Sequence, residues 1–271
     1  MMTSAATVDF NRLTHAYNHV FTDAFTSRKI TPENLKSVFE QTQVDLDASQ
    51  ILIEDDRIIG FGFLGIRGQS GWITSVGIEP DQRGRGLGRD IMQALIHTAT
   101  SRGLSTLQLE VTDYNEVALN LYESLGFETR RKLLTLDGED KPSIDVQHPV
   151  TDIKAEHALS YYDAFHTIPA PWKRHQHSLS QLSRTHRAWM MNQAAYAIGY
   201  AWGGIIYLDD VGFLPGEEAI FGQLLTAMQS EDVLMRVHNL ADNEPAWDVM
   251  QSLGYEAGII QHEMWLNLAE A

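Results

Sequence analysis

Apolar and polar residues alternate over 107–112, with Leu107, Leu109 and Val111 on one side and Gln108, Glu110 and Thr112 on the other. That period of two is the pattern of a strand with one buried face. A helical pattern follows from Asn115 and ends near Gly126. The same reading upstream predicts helices over 11–25 and 32–41, a hairpin over 51–65 turning at Asp55-Asp56 and a strand over 72–78. A helix over 88–100 stopped by Gly103 and a last strand near 130–136 complete the set. Thr31 ahead of Pro32 has the chemistry of an N-cap followed by a first helical residue. Strands interleaved with helices in this order predict a mixed α/β fold.

Between the strand over 72–78 and the helix that follows lies Glu79-Pro80-Asp81-Gln82-Arg83-Gly84-Arg85-Gly86-Leu87-Gly88-Arg89. Alternating glycines let the backbone curl so that several N–H groups point at one anion, and the helix start adds its positive dipole end. A pyrophosphate cradle fits, with Arg83, Arg85 and Arg89 around it; a glycine-rich helix start on the surface is the alternative. The spacing excludes a dinucleotide loop, which needs glycine at 89, and a nucleoside-triphosphate loop, which needs Gly-Lys-Ser/Thr.

Together, the loop Arg83-Gly84-Arg85-Gly86-Leu87-Gly88 and the helix from Asn115 to Tyr122 resemble the GNAT superfamily of acyl-CoA-dependent N-acetyltransferases. The resemblance covers about residues 50 to 135. It implies that acetyl-CoA is the co-substrate, with Val76, Gly77, Ile78, Arg83, Gly84, Arg85, Gly86, Leu87, Gly88, Arg89 and Asn115 as its binding residues. Backbone N–H groups near Gly77 and Ile78 would hold the thioester carbonyl and the pantetheine arm, and Tyr122 would lie near the sulfur. Tyr17, Phe21, Phe25 and Arg28 would line the acceptor cleft. The segment is also similar to the ribosomal-protein N-terminal acetyltransferases, whose glutamate base matches Glu110.

The second half of the chain repeats the first. Asp23-Ala24-Phe25 recurs as Asp163-Ala164-Phe165, Ile59-Gly60-Phe61 as Ile198-Gly199-Tyr200, and Val76-Gly77-Ile78 as Val211-Gly212-Phe213. Asn115-Glu116-Val117-Ala118 recurs as Asn243-Glu244-Pro245-Ala246, and Ser124-Leu125-Gly126-Phe127 as Ser252-Leu253-Gly254-Tyr255. Two tandem GNAT-like domains are expected, each a mostly antiparallel twisted sheet flanked by helices. The boundary falls in the polar stretch Asp137 to Ser143, giving domains over 1–140 and 141–271. The repeat lacks the glycine loop, Gly216-Glu217-Glu218-Ala219 standing in its place, and has Met250 for Tyr122 and Arg236 for Glu110. It is read as non-catalytic, either packing against the first domain or walling the acceptor site.

Composition narrows the chemistry. The 271 residues contain no cysteine, which excludes disulfides, thiolate metal sites and a cysteine acyl-enzyme, so acyl transfer would be direct. A formal net charge of −16 argues against nucleic acid, whose binding rests on Lys and Arg neutralising phosphates. No apolar run approaches a membrane span and the first residues lack a secretion signal, so a cytoplasmic location is expected. His175-Gln176-His177 lacks a third ligand at helical spacing, and no metal is expected.

Tyr122 shares a helix face with Ala118 and Asn115 and is the candidate acid for the departing thiolate; a core tyrosine with a satisfied hydroxyl is the alternative. Asn115 fits an N-cap, a cofactor contact or both. Glu110 is the candidate base. Carboxylates ordinarily titrate roughly six units below an alkylammonium, so burial, a bridging water or a low-pKa amine is required. The resulting expectation is transfer of acetyl from acetyl-CoA to a primary amine of a small molecule. Acetylation of a protein N-terminus or lysine is the second reading, and a non-catalytic acyl-CoA-binding regulator the third. The partner is therefore a small-molecule or peptide amine, with a homodimer left open.

Overall fold

A computed structural model describes residues 1–22, 29–138, 144–182, 186–229 and 233–269. In chain order the first half gives β1 (Met2–Ser4), α1 (Phe10–Val20), α2 (Pro32–Thr42), β2 (Gln50–Glu54), β3 (Arg57–Arg67), β4 (Ser70–Ile78), α3 (Leu87–Ser101), β5 (Thr106–Thr112), α4 (Glu116–Ser124) and β6 (Glu128–Gly138). The second half gives β7 (Val150–Ile153), α5 (Ala155–Leu159), α6 (Tyr162–Phe165), α7 (Gln176–Ser180), β8 (Arg187–Met191), β9 (Ala195–Trp202), β10 (Ile205–Phe213), α8 (Glu218–Met228), β11 (Leu234–Ala241), α9 (Pro245–Ser252) and β12 (Glu256–Asn267). The mixed α/β expectation holds. Among the described residues no helix is long and apolar enough to cross a membrane.

Local chemistry explains most element ends. Asp55 and Asp56 both take positive φ, the geometry of a tight two-residue hairpin turn between β2 and β3. Thr31 accepts from the Asn34 amide and starts α2 as an N-cap, while Gly103 and Gly126 turn left-handed just past α3 and α4. Helix α1 is shorter than the pattern over 11–25; residues 23–28 lie outside those described.

The chain divides into two units, one comprising 1–130 with 263–271 and the other 131–262. This differs from a cut at 140/141, and the difference has a definite cause. Each half sends its last strand to the other unit. In the first unit the strand beside β5 is the end of β12, whose Met264 and Leu266 are buried in the same core as Leu107, Leu109 and Val111. In the second, β6 pairs antiparallel with β11, Met235 opposite Gly138 and Val237 opposite Leu136. Glycines set the layer spacing in the first unit: a Cβ at Gly62 would lie 2.6 Å from Ile91 and Leu95, so α3 packs directly on β3.

The two halves share their order of strands, with α5, α6 and α7 in the second where the first has α1 and α2. The bulge that places Ser75 opposite Phe63 and Ile73 opposite Leu64 recurs where Asp210 opposes Ile198 and Leu208 opposes Gly199. The ladders therefore equate Gly60 with Ala195 and Leu64 with Gly199, so the sequence match of Ile59-Gly60-Phe61 to Ile198-Gly199-Tyr200 is four residues out of register. The correct counterpart of Phe61 is Tyr196.

Candidate active site

In the first unit β4 runs parallel to β5 from Ser70 opposite Thr106 to Ile73 opposite Leu109, and the ladder ends there. The bulge at Thr74 swings the rest of β4 away from β5 while it stays paired with β3 as far as Ile78. A notch opens between them. The Glu79 amide donates to the Ile59 carbonyl at 2.9 Å, so alternation turns Gly77 toward β3 and Val76 and Ile78 toward the open edge. The Gly77 amide thus serves the ladder rather than the notch. Its missing side chain matters instead, because Val20 of α1 and Phe61 occupy the space a Cβ would need.

The glycine loop leaves the strand at this notch. A single helical turn over Pro80–Gln82 leads into Gly84 and Gly86, at φ +79° and +82°, with open space where a Cβ would stand. Gly86 precedes the first residue of α3 and brings no side chain to cap the helix amides. Its carbonyl accepts from Arg89 and Asp90, leaving the curled backbone exposed to solvent. The start of the loop is pinned by Glu79, a buried carboxylate 2.8 Å from the Arg57 guanidinium.

The three arginines have different tasks. Arg83 donates from Nε to the Ile78 carbonyl and from Nη2 to the Val20 carbonyl, both at 3.2 Å, and so braces the loop against α1. Arg85 faces Glu54 with two nitrogens 3.1 Å from its two oxygens and also donates to Gln82. That pairing lowers the pKa of Glu54 and raises that of Arg85. Arg89 donates to the Ser124 hydroxyl at 2.7 Å and ties α3 to α4. Glu54 escaped sequence reading, since 31 residues separate it from Arg85.

Helix α4 borders the other side of the site. Asn115 is its N-cap, with Oδ1 accepting from the Ala118 amide at 3.2 Å. Tyr122 is half-buried and packs against Phe127, ring centroids 6.1 Å apart. Burial pushes its phenol up to about 12, and its hydroxyl bonds to no described residue. Glu110 lies half-buried at the end of β5, with Oε1 shielded from solvent. Tyr17 and Phe21 pack on Phe61 at 5.6 and 5.8 Å between centroids, whereas Phe25 and Arg28 lie outside the described residues.

The second unit keeps the notch and changes its contents. Its parallel ladder ends at Leu208 opposite Val237, which makes His238 the counterpart of Glu110, one turn of the pleat beyond the Arg236 expected from sequence. Arg236 pairs instead with Asp137 on β6. From Phe213 to the first residue of α8 the chain passes through only Leu214 to Glu217, and the glycine curl is gone. His175 Nδ1 accepts from the His177 amide, so this histidine caps α7.

A parallel strand pair parted at a bulge, a glycine curl at the parting and a helix beyond carrying a tyrosine make up the candidate site. Residues 12–127, under half of the chain, match the acetyltransferase (GNAT) family. The whole chain superposes on a tandem GNAT protein from the clavulanic acid biosynthesis pathway with a TM-score of 0.68 at 14% identity, covering 99% of this chain and 98% of that one. A GCN5-related N-acetyltransferase from Sphaerobacter thermophilus gives 0.69 at 14% identity, with 99% and 95% covered. In sequence, 76 residues are 40% identical to the [ribosomal protein bS18]-alanine N-acetyltransferase of Salmonella typhimurium, 28% of this chain and 51% of that protein. A mycothiol acetyltransferase of Kocuria rhizophila is 38% identical over 81 residues, 28% of this chain and 27% of its own length. The chain thus spans about half the length of the first of these relatives and about a quarter of the second.

Proposed function

We propose that this protein transfers an acetyl group from acetyl-CoA directly to a primary amine of a small molecule, in the notch of its first unit. The observation that carries the reading is the conjunction at one strand end of the parted β4–β5 pair with the exposed curl Arg83 to Gly88. Amides of the curl and of the α3 start bind the pyrophosphate, with Arg85 and Arg89 supplying charge at its rim. The Ile78 and Val76 N–H groups, facing the open edge, hold the pantetheine arm and the thioester carbonyl.

The amine nitrogen attacks the carbonyl carbon, and the tetrahedral oxyanion is held by those backbone donors. As the C–S bond breaks, the Tyr122 hydroxyl, which stays protonated at every physiological pH, gives its proton to the sulfur. Glu110 takes the surplus proton from the amine through water, and the phenol regains one from solvent. A lack of cysteine agrees with a route that has no acyl-enzyme. Acetylation of a peptide N-terminus is the second reading, supported by the 76-residue identity with an alanine N-acetyltransferase. The test is a thiol-release screen with acetyl-CoA against amines and against peptides. Release with small amines supports the first reading, release with peptides alone supports the second, and binding without release to either overturns both.

A further inference from the structure

In the second unit a guanidinium stands at the parting of the strands. Arg174, only 1% exposed, donates from Nη2 to the carbonyl of Val211 at 3.1 Å, from Nη1 to both oxygens of Glu244 at 2.9 Å, and from Nε to Asp210 at 3.0 Å. Val211 is the counterpart of Val76, and its carbonyl faces the open edge because the Leu214 amide fixes the alternation by donating to Ala194. Glu244 stands at the N-cap position of α9, the place Asn115 holds on α4. One side chain therefore bridges the departing strand and the helix beyond it.

Its partners have changed in concert. Where the second unit has Asp210, Tyr196 and Arg174, the ladders and the helix caps give Ser75, Phe61 and Ile30 in the first. Tyr196 donates to Asp210 at 2.5 Å, His166 Nε2 lies 3.1 Å from the same oxygen, and Tyr162 donates to the Arg174 carbonyl at 2.9 Å. A buried charge set this large persists only if each member is paired, and each is. The first unit has no equivalent set among its described residues.

We infer that Arg174 is the built-in occupant of the second notch, tying the parted strand to α9 as a ligand would in the first unit, and so makes the second copy independent of acyl-CoA. The comparison with a ligand rests on the acyl-CoA reading of the first notch.

Hydrogen exchange followed by mass spectrometry on the whole protein tests it. Without ligand, Arg174→Met is expected to speed exchange at 209–213 and 244–247 by tenfold or more while peptides of the first unit keep their rates. Because that variant strands two buried carboxylates and can unfold the unit, R174M/D210N/E244Q removes the charges with the guanidinium. It is expected to stay folded by circular dichroism and still exchange at least tenfold faster there; wild-type rates in this variant would overturn the inference. With acetyl-CoA added to wild type, protection is expected at 76–89 and none at 209–213. Protection at 209–213 would also overturn it. Protection at neither segment would sink the acyl-CoA reading of the first notch, and the ligand-free comparison would still decide the role of Arg174.

Discussion

Val20 lies directly against the α-carbon of Gly77, so close that a methyl group there would overlap its Cγ1. Helix α1 is thereby seated on the part of β4 that borders the notch. Gly77→Ala is expected to lower the unfolding free energy by about 1–3 kcal/mol through overpacking, and to weaken acetyl-CoA binding by displacing that strand. Urea denaturation with calorimetric titration checks both, and an unchanged midpoint would show that α1 yields freely.

Gly86 stands at φ +82° with its α-carbon facing open space. Gly86→Glu is expected to abolish acetyl-CoA binding by placing a carboxylate at the pyrophosphate, at a backbone cost of about 1–2 kcal/mol for the left-handed geometry. Unfolding should remain cooperative. Calorimetry showing wild-type affinity would refute the cradle.

For Tyr122 the expected result of Tyr122→Phe is near-wild-type cofactor affinity with kcat reduced by about 10²–10⁴-fold. The pH profile carries a sign of its own. The acid form is the active one and burial raises its pKa to about 12, so wild-type activity should not decline through pH 10, where an exposed tyrosine would ionise. Full kcat in the Phe variant would return Tyr122 to the core.

Glu110→Gln tests the base. At neutral pH kcat/KM is expected to fall by about 10²-fold, and the deficit should shrink as pH rises toward the pKa of the amine, because a free amine needs no base. A deficit that is constant with pH would assign Glu110 to packing or binding.

Much of this structure is legible in the sequence where the cause is local. Asp55-Asp56 makes its turn, Thr31 caps its helix, and Gly103 and Gly126 stop theirs, each through a preference that acts within a few residues. The glycine curl and the Asn115 cap are legible for the same reason. Long-range pairing is not. Nothing near Arg174 announces that its partners lie 36 and 70 residues away, or that Arg85 faces Glu54. The register of the repeat also misleads, because Ile-Gly followed by an aromatic residue recurs by composition, and only the ladders equate Phe61 with Tyr196.

The exchange of last strands sets a timetable for synthesis. On the ribosome, β5 is made long before the strand that flanks it, and all of the second unit must emerge before Met264 and Leu266 can close the core around Leu107 and Leu109. Until then β5 is an exposed sheet edge, a surface prone to pairing with other chains. A fragment ending at residue 140 would keep every residue proposed for chemistry and still lack part of its own core, while carrying in β6 a strand made for the other unit. Activity should therefore appear only after the second unit has been translated, which makes the second half a condition for the first to exist.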